Sequence, residues 1–153
     1  MSIEAKLAEL GLTLPEAAAP VAAYVPVVIA GELAHVSGQV SIVDGQLLKG
    51  RLGEDLTLED GVRGAQACGL MILAQLKAAL GSLDRVERIV KLGAFINSAP
   101  DFTDQPKVAN GASELMVAVF GEAGKHARSA VGVPCLPLGV AVEVDAIVAV
   151  RPA

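Results

Sequence analysis

The segment from Thr57 to Gly81 carries the clearest helical pattern of the chain and limits most strongly the folds that it can adopt. Thr57 is a good N-cap residue, and Asp60 stands three positions later, where its carboxylate completes a capping box. Small and apolar residues recur at helical spacing: Leu58, Val62, Ala65, Gly69, Ile72, Leu76 and Leu80. Gly81 favours the end of the helix. We therefore predict a helix over residues 57–80 that covers one face of a sheet.

Two further helices show similar signals. Asp104, with a proline two residues later, favours a helix start, Val108 begins an apolar stripe, and Gly121 ends it. Residues 2–10 predict a short N-terminal helix, and residues 13–20 predict an extended arm without regular period.

The β-prone segments are separated by turn signals. Gly31 opens a two-residue link of the kind that a type II′ hairpin requires, and Asp44 with the following glycine marks a second turn. The strand at residues 89–98 is expected to lie inside the sheet with both faces covered. The predicted strands cover residues 25–30, 33–40 with its continuation 40–43, 46–49, 89–98, 127–133 and 140–150.

The order of these elements is β-β-β-α-β-α-β-β after an N-terminal helix and arm formed by residues 1–20. It fits a single domain over residues 1–153 with an α/β fold, an α+β two-layer sandwich in which two helices cover one face of a mixed sheet. No third helix of adequate size is predicted for the other face. We therefore expect a homo-oligomer that packs its apolar sheet faces together.

Charge, hydropathy and cysteine content narrow the function classes. The 153 residues carry a formal net charge of −5 with no basic run longer than two residues, which argues against binding to nucleic acid. The most apolar window, residues 21–34, is interrupted by Pro26 and Glu32, so we expect no membrane span. Cys68 and Cys135 show no metal-ligand spacing and favour a reducing, cytoplasmic compartment.

The strand at residues 127–133 places one arginine among small or apolar residues. Alternation puts Arg128, Ala130 and Gly132 on one face, which therefore carries a charge and almost no bulk. Arginine stays protonated, and its planar fork suits a carboxylate or phosphate. Two interpretations stay open from these residues alone: a small anionic ligand, or a salt bridge or solvated side chain.

Four segments together resemble the reactive intermediate deaminase family, also called the YjgF or L-PSP endoribonuclease-like family. They are Val36-Ser37-Gly38-Gln39, residues 92–97 followed by Asp101-Phe102, Ala127–Val133, and Leu136-Pro137 leading into Val142-Glu143-Val144. The segments stand in the family's order and at about its spacing. The N-terminal arm and the residues Phe120-Gly121 and His126-Ala127-Arg128 are similar to those of a longer-chain branch of the family.

This resemblance implies a chorismate-mutase-like fold assembled as a homotrimer, with three sites in the clefts between subunits. In the deaminase branch the substrate is a 2-imino acid or its enamine tautomer, and hydrolysis gives the 2-keto acid and ammonia. The reaction uses neither a metal nor an organic cofactor. The implied partners are a small-molecule carboxylate and further copies of the same chain.

The resemblance also implies catalytic roles. Arg128 matches the arginine that holds the substrate carboxylate, and Glu143 matches the glutamate that positions or activates the attacking water. Ala130 stands where the family often has cysteine, so chemistry through a thiol at that position is excluded. The backbone N–H of Ala130 could still meet a carboxylate.

Four further residues match positions that line the family's cleft. Tyr24, Ser37 and Asn110 supply polar side chains, and Gly38 supplies a close backbone N–H. The match of Asn110 to the family requires a one-residue gap between this position and Arg128. The resemblance makes all four substrate-binding residues.

We therefore predict a cofactor-independent hydrolase of 2-imino acids. One alternative is a non-catalytic protein of the same fold that binds or senses a 2-keto acid. A ribonuclease or translation inhibitor is less favoured, because the chain is acidic and has no paired histidine site. His35 and His126 have no serine or cysteine partner at a spacing that indicates a relay, so we expect structural or solvated roles for both.

Overall fold

The computed structural model describes residues 1–19 and 22–153. Pro20 and Val21, at the end of the predicted arm and the start of the most apolar window, lie outside the described residues. Three helices are formed: α1 Ile3–Glu9, α2 Leu58–Leu80 and α3 Gln105–Phe120. The strands are β1 Val27–Ala30, β2 Leu33–Val40, β3 Ile42–Val43, β4 Gln46–Leu47, β5 Val86–Asn97, β6 Ala127–Val133 and β7 Val142–Val150.

Five of the strands form one mixed sheet in the order β1-β2-β7-β5-β6. The β5–β6 pair is parallel, whereas the other neighbours are antiparallel. β3 and β4 form a separate two-stranded sheet. The predicted mixed sheet is thus confirmed, and the segment predicted as residues 40–43 is a short hairpin strand beside it.

The capping signals predicted for α2 are present at atomic level. Thr57 Oγ1 accepts a hydrogen bond from the Asp60 amide, and the Asp60 carboxylate accepts one from the Thr57 amide, so the capping box is complete. Gly81, at φ 85°, follows the last residue of α2. Among the described residues, no helix has the length and apolarity that a membrane span requires.

The turns follow the glycine signals. Gly31 adopts φ 63° between Ala30 and Leu33, which pair with each other, so the two-residue hairpin forms as predicted. β1 begins two residues later than predicted. β5 begins three residues earlier than predicted, because Val86 pairs with Val150 at the end of β7. This pairing joins distant segments and cannot be predicted from neighbouring residues.

α2 and α3 cover one face of the sheet and bury its apolar residues, which confirms the predicted two-layer arrangement. β7 shows the alternation most clearly, because Val142, Val144 and Val148 are fully buried beneath the helices. Glu143 and Asp145 point to the opposite face and are only half-buried. One face of the sheet therefore carries the core and the other carries two carboxylates.

β5 lies inside the sheet between β7 and β6, as predicted, but within one chain only one of its faces is covered. Ile89, Leu92 and Ile96 belong to the buried core, whereas Gly93 and Phe95 line a depression on the opposite face. Register shifts near Ile89 obscure the two-residue period, so a strand covered on one face alternates poorly in the sequence.

α2 and α3 approach each other closely at Gly111. A Cβ there would overlap the Val62 carbonyl oxygen and lie 3.1 Å from the Gln66 amide nitrogen. At Gly69 a Cβ would lie 2.8 Å from Leu115 Cδ2. The spacing of the helical layer therefore depends on residues without side chains.

We expect Gly111→Ala to lower the free energy of unfolding in urea. Alanine gains about 1 kcal/mol of helix propensity, but separating the helices costs roughly 3 kcal/mol, the upper end for overpacking. Glu114→Ala, on the exposed side of α3, is the control and should change stability by less than about 0.5 kcal/mol. A Gly111→Ala protein as stable as the wild type would contradict this packing.

Candidate functional site

The predicted site residues form two separate groups in one chain. Arg128 and Asn110 lie together at the edge strand β6 and helix α3. Tyr24, Gly38 and Glu143 line a cleft near strands β2 and β7, away from the β6 edge. We call the first group, with Ser113 and His126, the arginine cluster, and the second, with Ser37, the glutamate cluster.

The arginine cluster is held by hydrogen bonds from the strand to α3. Arg128 Nη1 donates to Asn110 Oδ1 at 2.9 Å and to Ser113 Oγ at 3.1 Å. Ser113 Oγ also lies 2.8 Å from His126 Nε2, and His126 Nδ1 lies 2.6 Å from the Gly124 carbonyl oxygen. Sequence spacing does not reveal this serine partner of His126, because the loop between α3 and β6 folds the histidine back over the helix.

The partners of the arginine are electrically neutral. Within residues 1–19 and 22–153, Arg128 forms no ion pair with a carboxylate. The salt-bridge interpretation of Arg128 is therefore wrong for the described chain. A half-buried guanidinium that is oriented by an amide and a hydroxyl keeps its full charge for an anionic ligand.

The small residues that follow the arginine serve packing as well. Ala130 is half-buried and packs against the core, and at Gly132 a Cβ would lie 2.6 Å from Gln105 Nε2 and 3.1 Å from Ser98 Oγ. Alternation correctly predicts that Arg128, Ala130 and Gly132 share a face. That face is the helix face, and its lack of bulk near Gly132 admits the start of α3.

The glutamate cluster surrounds a cleft of about 510 Å³. Gly38 borders Glu143 so closely that a Cβ there would overlap the Glu143 carboxylate. Tyr24 is half-exposed at the cleft, and the Ser37 hydroxyl donates a 3.0 Å hydrogen bond to the Pro26 carbonyl oxygen. This hydrogen bond of the Ser37 side chain holds the segment before β1 against β2.

An irregularity in β2 places Gly38 beside the glutamate. The pairing of β2 with β7 runs from Val36 opposite Ala146 to Gln39 opposite Val144, so Ser37 and Gly38 together face Asp145. This is a β-bulge, which re-aims the side chains around it. A glycine inside a strand pattern is the sequence signal of such a bulge.

Burial raises the pKa of the Glu143 carboxyl group above its ordinary value, and the nearby Asp145 carboxylate raises it further. The pKa of Asp145 is also raised by burial, against the lowering effects of the Gly93 amide and Lys91.

Asp145, Lys91, His35 and Ser129 line one depression on the open sheet face. Among the described residues, no group of three or more His, Cys, Asp or Glu side chains is placed to hold a metal ion.

The two clusters cannot meet on one small ligand within a single chain. Arg128 lies on the helix face of β6 and Glu143 on the open face of β7, with β5 between them. Arg128 is level with Leu92 and Glu143 with Phe95, so the positions are two strands apart and three residues offset. The strand spacing and rise give a Cα separation of about 14 Å.

A family model described as "YjgF/chorismate mutase-like, putative endoribonuclease" matches residues 4–148. The chain belongs to this family. The fold of helices on one face of a mixed sheet is the chorismate-mutase-like fold of that family. The predicted family and fold are both confirmed.

Relatives of known sequence or structure support this assignment. Protein TCP17 of Trypanosoma cruzi is 54% identical over 148 residues, which cover 95% of this chain and 92% of that protein. A crystal structure described as "a putative endoribonuclease" from Shewanella oneidensis is 35% identical, with a TM-score of 0.94, and the match covers 98% of this chain and 100% of that one. RidA from the Antarctic bacterium Psychrobacter sp. PAMC 21119 is 28% identical, with a TM-score of 0.60 and coverage of 88% and 94%.

The environment of Glu143 predicts its titration. We expect ¹³C NMR to show its carboxyl group titrating above the ordinary glutamate range, and Asp145→Asn to lower its pKa because a neighbouring negative charge is removed. Glu9→Gln in α1 is the control and should leave the titration of Glu143 unchanged. An ordinary pKa in the wild type, or no change in Asp145→Asn, would contradict the geometry.

Proposed function

We propose that this protein hydrolyses 2-imino acids, or their enamine tautomers, to 2-keto acids and ammonia without a cofactor. The observation that carries the proposal is the arginine cluster. Arg128 is held in place by two neutral side chains, so a planar cation is oriented and available to bind a carboxylate. Every substrate of this reaction class carries a carboxylate next to the reacting carbon.

Glu143 is the residue that we assign to proton transfer. Water adds to C2 of the iminium, and the Glu143 carboxylate accepts the proton that the water loses. Return of that proton to nitrogen lets ammonia leave, and the Glu143 carboxylate then accepts the hydroxyl proton as the C2 carbonyl forms. The raised pKa of Glu143 suits this role, because a base that takes up and returns a proton works best with a pKa near the working pH.

The separation of the clusters leads us to propose that the complete site lies between subunits. Arg128 and Asn110 of one copy would bind the carboxylate, and Glu143, Tyr24 and Gly38 of another copy would surround the reacting carbon. The open sheet face offers a surface for such an assembly, because Val131 is exposed and Phe95 is only half-buried. We propose a homotrimer, following the resemblance, with a solution mass three times that of the chain.

A binding protein for small carboxylates is the second candidate. The arginine cluster is complete within one chain and needs no contribution from Glu143, so a 2-keto acid could bind without any reaction. Thermal stabilisation by 2-ketobutyrate in a protein that turns over no imine would select this function. Cleavage of RNA has the weakest support, since the net charge is −5.

We expect Arg128→Ala to lower kcat/KM for imine hydrolysis by at least about 100-fold, since each hydrogen bond to a charged group contributes about 1.5–3 kcal/mol. Arg128→Lys should also be strongly impaired, because a point charge replaces a fork. The assay generates imines with an amino-acid oxidase and follows the semicarbazone that forms from the imine that escapes hydrolysis.

Arg63→Lys is the matched control, because Arg63 lies on α2 at a different surface and pairs with Asp44. It should keep wild-type activity. Full activity in Arg128→Ala, or unchanged semicarbazone formation with wild-type protein across several amino acids, would contradict the proposed function.

A further inference from the structure

Ser113 and His126 form a chain of contacts that ends on the Arg128 guanidinium. The His126 ring lies between the Gly124 carbonyl oxygen, 2.6 Å from Nδ1, and the Ser113 hydroxyl, 2.8 Å from Nε2. Ser113 Oγ accepts a hydrogen bond from Arg128 Nη1 at 3.1 Å. The family resemblance assigns no role to either residue.

In the neutral form of the His126 ring, the carbonyl oxygen fixes the direction of the hydrogen bonds in this chain. Because a carbonyl only accepts, Nδ1 of His126 carries a hydrogen, and Nε2 of the neutral ring is then the acceptor. The Ser113 hydroxyl therefore donates to Nε2, and its lone pair faces the arginine. His126 thus sets the rotation of the Ser113 hydroxyl.

The N–H groups of the Arg128 guanidinium can be assigned to acceptors in the same way. Nη1 carries two hydrogens, of which one goes to Asn110 Oδ1 and the other to Ser113 Oγ. Nε and Nη2 together carry the other three N–H groups of the guanidinium. A carboxylate can bind two parallel N–H groups on this side, one from Nε and one from Nη2.

We propose that Ser113 and His126 are positioning residues that fix the Nη1 end of Arg128, so that its Nε and Nη2 edge receives the ligand carboxylate. This inference rests on the proposed function for the identity of the ligand. Ser113 is not a nucleophile, because a cation donates to its oxygen and lowers its basicity. The chain of contacts selects ligands with a planar carboxylate and orients them through one edge of the fork.

The test compares variants that remove each contact with variants that keep it. Ser113→Ala removes the acceptor for Nη1, whereas Ser113→Thr keeps a hydroxyl. His126→Leu removes the acceptor for the hydroxyl, whereas His126→Gln places an oxygen near the position of Nε2. Glu114→Gln, on the exposed side of the same helix, is the control.

We expect Ser113→Ala and His126→Leu to raise KM for the imine and the Kd for 2-ketobutyrate about tenfold, the loss that one ordinary hydrogen bond represents. kcat should change less than about threefold, since Glu143 is untouched. Ser113→Thr and His126→Gln should restore most of the affinity. In ¹⁵N-arginine NMR of the full protein, the Arg128 Nε–H signal should broaden or shift only in the two disrupting variants.

The outcomes separate this inference from the proposed function. Wild-type protein that binds 2-ketobutyrate but hydrolyses no imine contradicts only the catalytic proposal, and the Kd and NMR comparisons then decide the positioning roles. Unchanged KM, Kd and Arg128 signals in folded Ser113→Ala overturn the positioning roles while hydrolysis stands. Labelling of Ser113 by a serine-directed fluorophosphonate, or wild-type protein without binding or turnover, also overturns the inference.

Discussion

The packing of α2 and α3 against one face of the sheet is the constraint on which the rest of the molecule depends. It buries Val142, Val144 and Val148 of β7 beneath the helices and so forces Glu143 to the opposite face. It also brings Asn110 and Ser113 of α3 over β6, where they orient Arg128. A single chain therefore presents an oriented cation and a partly buried carboxylate on different sides of one sheet. Each alone is half of the proposed site.

Much of the fold could be predicted from the sequence because its signals are local. The capping box at Thr57, the glycine in the Gly31 hairpin and the alternation along β6 each follow from a few neighbouring residues. The face that Arg128 occupies could not be predicted in this way. Alternation groups residues on a face but does not say which face receives the helices, and that choice depends on contacts between distant segments.

The candidate site shows the same division. The family's motifs lead directly to Arg128 and Glu143, but the contact between Ser113 and His126 arises only when the loop after α3 reverses the chain. The glycine at position 38 signals the bulge in β2, although its effect on Glu143 depends on the pairing with β7. A raised pKa at Glu143 similarly requires burial and the nearby Asp145 carboxylate, both of which are tertiary features.

The proposed catalytic site joins Arg128 of one copy to Glu143 of another. Complementation between two variants tests this arrangement. Arg128→Ala and Glu143→Gln chains, each expected to be inactive alone, are given different affinity tags and co-expressed. The hybrid oligomers that hold both tags are then purified. In a cyclic trimer that holds both kinds of chain, both residues are intact at one of the three interface sites, roughly a third. We therefore expect the hybrids to hydrolyse imines at about that fraction of wild-type activity. Inactive hybrids from active wild-type protein would contradict it.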